Sequence, residues 1–331
     1  MLINHKKNKS LKKKRFKVKS SERKIKIIHF QLFPKIILMI LLLILKFSFK
    51  SPKTKAKAIK VCLCAIAKKE NLYIKFYLDH YKQLGYDHIY LYDNNDINDE
   101  KIEDVIQEYL SNNYVTLIDY RGYRGKRENP QMDAYYDCYE KHSMEYDWLS
   151  FFDLDEYLIL KPEGIKIQEF LENERYKDCP IVKVNWILYS DNDQIKYEPK
   201  PFTERFTKLS KSTRTRTTIK SIMRGNITYS KFHKTYNPHY LYYNIKSCSS
   251  SGKPIRGTCF SDYPDYEYAS LNHYIKTMPE FVEKVKRGLA TEKIVFNKGR
   301  LRGYFDCFFR ACDKTEEKVK IFNDAFNTSF S

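Results

Sequence analysis

The chain has 331 residues, 15% of them aromatic, and only 10 glycines. That length suits one large or two ordinary domains with a sizeable core, and neither a Gly-x-Gly-x-x-Gly nor a Walker-type phosphate loop occurs. The net charge of +19 is mostly a tail, because residues 1–26 hold twelve Lys/Arg against the single Glu22 and leave +8 for the rest, which excludes reading it as a nucleic-acid-binding face.

After the basic tail, residues 27–49 are largely apolar, with an unbroken run at 36–45. The run alone is too short to span a bilayer; extended to Phe30 and Phe49 it reaches spanning length. Lys35 and Lys46 near its ends can snorkel. No small-x-small cleavage site follows, so the stretch reads as an uncleaved signal anchor. The basic side stays cytoplasmic and the bulk of the chain crosses, giving a single-pass type II membrane protein. Its place is the Golgi or secretory pathway in a eukaryote, or the cell membrane in a bacterium. Residues 50–58 form a short stem, and a single globular domain occupies 59–331.

Within that domain, residues 59–67 are apolar on both faces and predict a central parallel strand. Residues 70–84 carry Tyr73, Phe76, Tyr77, Tyr81 and Leu84 at helical spacing, with Gly85 as the stop. A strand over 88–92, a helix over 99–110, a strand over 114–118, a polar loop and a helix opening at Pro130 follow. Next comes Trp148-Leu149-Ser150-Phe151-Phe152-Asp153-Leu154-Asp155-Glu156-Tyr157, an apolar strand stopping in three carboxylates. The alternation is a βαβ series and implies an α/β fold with a mainly parallel sheet flanked by helices. Ligands of such sheets gather at the carboxyl ends of the strands, where Lys68 to Glu70, Asp93 and Asp153/Asp155 all fall. Further strands are expected at 181–188, 219–223 and 240–243, and helices at 278–289 and 315–326.

Asp153 and Asp155 stand two apart, which at a strand end puts both side chains on one face. Carboxylates so placed repel unless a cation lies between them, and a hard divalent ion held by two carboxylates keeps positions for phosphate oxygens. The plainer reading is a pair of turn caps. The eight cysteines include no Cys-x-x-Cys pair; Cys62 and Cys64 read as packing in a buried strand, and the even count permits disulfides in an oxidising compartment. Asn226-Ile227-Thr228 and Asn327-Thr328-Ser329 are glycosylation sequons.

Taken together, Ala65-Ile66-Ala67-Lys68-Lys69-Glu70, Leu84-Gly85-Tyr86-Asp87-His88 and Tyr92-Asp93-Asn94-Asn95 begin an ordered series. Gln131, Asp137-Cys138, Trp148 through Tyr157, Glu204-Arg205-Phe206 and Lys220-Ser221-Ile222 continue it. His233, His273-Tyr274, Phe281, Lys284 and Arg287-Gly288 complete it. The series resembles glycosyltransferase family 92 and its family-2-like relatives of the GT-A type. It departs from the pattern at Lys69 for Asn, Lys75-Phe76 for Glu-Trp and Asp96 for Ser. The resemblance implies a Rossmann-like GT-A fold, a UDP-sugar donor such as UDP-galactose, and a glycan or glycolipid acceptor. It also implies a manganese-type ion on Asp155 and Asp153, with His273 or His233 as a third ligand. Asp93 would then contact the uridine or ribose, Lys68 and Glu70 would line the donor site, and Lys220 and Arg224 would face phosphate. Inversion at the anomeric carbon needs a carboxylate base, for which Asp191, Asp193 and Glu204 are the candidates. The competing function is a non-catalytic protein using its basic tail on anionic lipid or nucleic acid.

Overall fold

The computed structural model describes residues 58–124, 129–227, 234–242, 245–257, 259–287 and 298–328. The expected tail, anchor and most of the stem lie outside these residues, as does His233. Among the described residues no helix is long and apolar enough to cross a membrane.

The first half is the βαβ series. Strand β1 (Val61–Ala67) pairs in parallel with β2 (His88–Asp93) on one side and β4 (Trp148–Phe151) on the other, and β2 pairs in parallel with β3 (Val115–Asp119). Its residues alternate between two cores. Val61, Leu63, Ala65 and Ala67 enter the core under α1 (Ile74–Leu84) and α2 (Glu103–Ser111), with Tyr77, Tyr81 and Tyr109. Cys62 and Cys64 face α3 (Pro130–His142), with Met132, Tyr135 and Tyr139. A strand covered on both faces must be apolar at every position, which is why 59–67 reads as a continuous run. Gly85 closes α1 with φ 91°, and a Cβ there would stand 3.0 Å from the Gln168 amide oxygen, so both conformation and space favour glycine. Asn129 caps α3 through the Met132 amide at 3.2 Å, with Pro130 in the first turn.

The second half curls the sheet. Strand β7 (Ile219–Arg224) runs antiparallel between β4 and β6 (Ile181–Tyr189). Strand β12 (Ala269–Tyr274) lies parallel to β6 and antiparallel to β5 (Glu156–Leu160). The long sheet continues from β6 into the two-residue strands β10 (Ser247–Cys248) and β11 (Pro254–Ile255), while β8 (Lys234–Asn237) and β9 (Tyr240–Tyr242) pair with each other in a separate two-stranded sheet. Short helices α4 (Ile167–Leu171) and α5 (Phe202–Arg205) fill connections. Three C-terminal helices, α6 (Met278–Arg287), α7 (Lys298–Ala311) and α8 (Glu316–Thr328), share an apolar cluster of Val282, Phe305, Phe308 and their neighbours. Cys179 and Cys248 form a disulfide across 69 residues, and Cys62, Cys64 and Cys138 are buried thiols.

Three expectations need correction. The strand expected to end at Asp153 ends at Phe151, and 152–155 form a turn closed by the Glu156 amide on the Asp153 carbonyl at 3.0 Å. The alternation rule for strand faces therefore does not govern the two aspartates. Strands β5 and β12 were not anticipated, because β5 follows the acidic turn without a polar break and β12 (Ala-Ser-Leu-Asn-His-Tyr) mixes small and polar residues. Helix α7 was also unforeseen; its glycines and scattered charges dilute the helical pattern.

Candidate active site

The β4–β5 turn is fixed by its backbone. Tyr77 and Tyr81, one helical turn apart on α1, donate to the carbonyls of Phe152 at 3.2 Å and Glu156 at 2.8 Å. The Tyr274 amide, at the end of β12, donates to the Asp155 carbonyl at 3.0 Å. Held in this way, the turn sends its two aspartates to different partners.

Asp153 meets β7 and α3. Its Oδ1 forms an ion pair with the Lys220 ammonium at 3.0 Å and accepts from the Tyr135 hydroxyl at 2.9 Å and from the Gln131 amide. Its Oδ2 has no hydrogen-bond partner among the described residues. Lys220 has no exposed side-chain surface and stands 3.3 Å from Glu156 Oε2, which also accepts the Asp153 amide at 2.9 Å. One buried ammonium thus serves two carboxyl groups. Burial pushes Asp153 up, but Lys220 outweighs it and the group is held below the ordinary carboxylate range. Burial pushes Glu156 well above that range in spite of Lys220. The two carboxyl groups are pushed in opposite directions, Asp153 down by the ammonium and Glu156 up by burial. Lys220, expected to face phosphate, is instead sealed between Asp153 and Glu156.

Asp155 meets β12 and α6. Its Oδ2 lies 2.5 Å from Lys284 Nζ and its Oδ1 is 3.6 Å from His273 Nε2. Burial raises this carboxyl, but Lys284, then His273 and Lys276, together hold it well below the usual range. Burial lowers His273 to about 4, so its imidazole is neutral near pH 7. The ring stacks on Trp186 of β6 with centroids 4.2 Å apart and 1° between planes. Its Nδ1 is buried with no hydrogen-bond partner among the described residues.

The donor chemistry fits a divalent ion. Asp155 is an ionised carboxylate, His273 a neutral imidazole beside it, and Asp153 keeps one oxygen uncommitted. Among the described residues no group of three or more His, Cys, Asp or Glu stands together closely enough to hold an ion by itself. Few protein ligands, with the remaining positions filled by phosphate oxygens and water, is the usual arrangement for magnesium-like ions in nucleotide sites.

The other expected rim residues are engaged in building the rim. Lys68 pairs with Asp96 at 3.2 Å. Glu70 is buried against Lys276 at 2.6 Å. Asp93 is buried, with Oδ2 on Arg121 at 3.0 Å and Oδ1 on the Asn95 amide at 2.9 Å. Arg121 also donates to the carbonyls of Asp96, Ile97, Asp99 and Glu100, so the pair organises the whole 94–100 loop. Arg224 donates to the carbonyls of Tyr176 and Cys179 and lies over the Trp148 ring, away from the two aspartates.

The candidate bases separate. Asp191 is buried on Lys318 of α8 at 2.7 Å, and Asp193 pairs with both Lys318 and Lys208. They tie β6 to the C-terminal helices. Glu204, exposed on α5, has no ion pair or side-chain hydrogen bond among the described residues. Residue-by-residue reading gave no role to Lys284, Tyr135, Trp186 or Lys276. Lys284 and Tyr135 reach the turn's aspartates, and Trp186 and Lys276 stand behind His273 and Glu70; only the ordered motif series gave a signal, for Lys284 and Gln131.

The profile of Glycosyltransferase family 92 matches residues 57–287, which contain every residue of the site. A search among curated proteins returns no match. Among solved structures, S. aureus TarS 1–349 in complex with UDP-GlcNAc aligns at 12% identity over 82% of this chain and 74% of that chain, with a TM-score of 0.36. The mannosyltransferase PcManGT from Pyrobaculum calidifontis, in complex with GDP-Man and Mn2+, aligns at 14% identity over 42% of this chain and 40% of its own, with a TM-score of 0.27.

Proposed function

The chain belongs to glycosyltransferase family 92, and on that premise we propose that it moves a sugar from a UDP-sugar such as UDP-galactose to a glycan or glycolipid, with inversion and with a divalent ion at Asp155. That it is a nucleotide-sugar glycosyltransferase follows from the family. The donor base, the metal dependence and the acceptor are our reading of the site.

The observation that carries this reading is Asp155 itself: a buried carboxylate with the Lys284 ammonium 2.5 Å from one oxygen and the His273 imidazole 3.6 Å from the other. Asp155 and the His273 imidazole beside it would hold the ion, with phosphate oxygens and water filling its other positions. When bound, the ion supplies Lewis-acid stabilisation of the charge that builds on the departing nucleoside diphosphate. The chain does the rest. Tyr77, Tyr81 and the Tyr274 amide hold the turn in place, and Lys220 with Glu156 keeps Asp153 aimed. Trp186 fixes the plane of His273. Glu204 is our base, because its carboxylate is uncommitted and α5 packs through Phe202 on Tyr274, the residue after His273.

We further propose that the basic tail, the apolar stretch at 27–49 and the stem place domain 59–331 on the far side of a membrane. The Cys179–Cys248 disulfide suits an oxidising compartment, and both sequon asparagines, Asn226 and Asn327, are exposed. Full-length protein in detergent, given a panel of UDP-sugars, should release UDP only with Mn2+ present. A folded chain that is inert toward every donor and binds no nucleotide would refute the proposal. Deleting residues 1–50 should remove membrane placement and leave the chemistry; loss of all function on that deletion would favour the tail-binding alternative.

A further inference from the structure

Asp155 already carries a cation that belongs to the chain. The Lys284 ammonium sits 2.5 Å from Oδ2, and the two side chains are 27% and 6% exposed respectively, so the lysine keeps a path to solvent that the aspartate lacks. The start of α6 is immobilised. Glu280 Oε2 accepts from the Thr277 amide at 3.1 Å and its hydroxyl at 2.6 Å, a capping box, and Lys276 is locked on Glu70. Lys284 projects two turns further along the same helix. The backbone that carries it is therefore set by the cap, while its four-carbon stem gives the ammonium several rotamers within reach of Asp155.

A divalent ion and an ammonium cannot both contact one carboxylate oxygen at hydrogen-bonding distance without strong repulsion. A donor diphosphate brings several negative oxygens to the same place. We propose that Lys284 is the resident counter-ion of Asp155, yields that carboxylate to the ion when the nucleotide-sugar binds, and moves onto the diphosphate oxygens to become a catalytic residue for leaving-group departure. The inference rests on the donor reading above. It adds a specific exchange: the ammonium neutralises Asp155 before the donor arrives and the phosphates afterwards. No covalent step is involved, and the proton stays on Lys284 throughout.

Titration of the full-length protein with Mn2+ in the absence of nucleotide, followed calorimetrically or by the spectrum of free Mn2+, tests the first half. Lys284→Ala removes the competitor and should bind Mn2+ about tenfold tighter, the scale of one charge-assisted hydrogen bond. The second half is tested by UDP release at saturating Mn2+ and donor, where Lys284→Ala should be slower by roughly a hundredfold, as when one preorganised donor to a developing anion is lost. Lys284→Arg should stay near wild type in Mn2+ affinity. If Lys284→Ala does not fold, Lys284→Gln keeps the stem and removes the charge. Unchanged Mn2+ affinity, or an unchanged rate at saturation, would overturn the exchange. A wild-type chain releasing no UDP from any donor would overturn the function reading instead, a result separable because the nucleotide-free titration needs no turnover.

Discussion

Replacing Lys220 by methionine probes the heart of the site without touching substrate. The side chain keeps nearly its length and loses its charge. Lys220 lies 3.0 Å from Asp153 and 3.3 Å from Glu156 and has no exposed side-chain surface. At an effective dielectric of 20, one such contact is a gross attraction of about 5 kcal/mol. Desolvating the ammonium cancels much of it. Glu156, whose carboxyl burial pushes toward its neutral form, loses a 3.3 Å contact on the scale of about 1 kcal/mol. Asp153 is a third exposed and regains some hydration, so its loss falls short of the full penalty for stranding a buried charge. The net expectation is a loss of about 2–3 kcal/mol, or a melting point lower by roughly 4–5 °C for a domain of this size. Chemical denaturation at pH 7 of the wild type, Lys220→Met, Glu156→Gln and the double variant measures it. Glu156→Gln alone should cost about 1 kcal/mol, and the cycle should show coupling between the two positions. A Lys220→Met protein as stable as wild type, or additive single effects, would refute the claim that this ammonium organises both carboxyl groups.

Three further outcomes are expected. Reducing or replacing the Cys179–Cys248 bridge, which closes 69 residues, should lower stability by about 2–5 kcal/mol, read as a shifted denaturation midpoint; an unshifted midpoint would contradict it. Burial holds both His80, on the Leu158 carbonyl, and His239, on the Ile219 carbonyl, at about 4. The unfolded chain therefore binds protons between about pH 6.5 and 4 that the folded chain refuses. The share of stability due to these two histidines should be full above that window and fall by about 1.4 kcal/mol per pH unit per histidine as pH drops through it, against an opposite slope from the raised carboxyls of Glu156 and Glu280. Denaturation curves at pH 7, 5.5 and 4.5 for the wild type, His80→Gln and His239→Gln isolate that share, and variants with the same pH profile as the wild type would exclude it. Glu204→Gln should slow transfer at least tenfold with little change in donor KM, the mark of lost base catalysis; an unchanged rate would remove Glu204 from the mechanism.

The first half of the fold was legible because its physics is local. A strand covered on both faces must be apolar throughout, and Tyr77 and Tyr81 at helical spacing announce a packed helix. The Asp-x-Asp was legible as a place and misread as geometry. Residue alternation assumed a strand through Asp155, whereas the chain turns after Phe151 and points the two aspartates at opposite neighbours. Those neighbours were the hardest part to see. Lys220 comes from β7, His273 from β12 and Lys284 from α6, each more than sixty residues away, and a lone Lys or His carries no local pattern. Lys220 looked like a phosphate contact because the sequence cannot show that its ammonium is sealed between two carboxyls. Asp191 looked like a base because nothing nearby reveals Lys318, which arrives from the last helix. Side chains that satisfy one another across the chain are the ones that single-residue chemistry assigns to ligands.

The account turns on Asp155. UDP release by the full-length protein, measured with and without Mn2+ for the wild type and for Asp155→Asn, tests it most directly. We expect wild-type release to stop when EDTA is added and to return with Mn2+, and the folded variant to be slower by at least about a hundredfold at any Mn2+ concentration. Undiminished release by Asp155→Asn, insensitive to EDTA, would contradict the account.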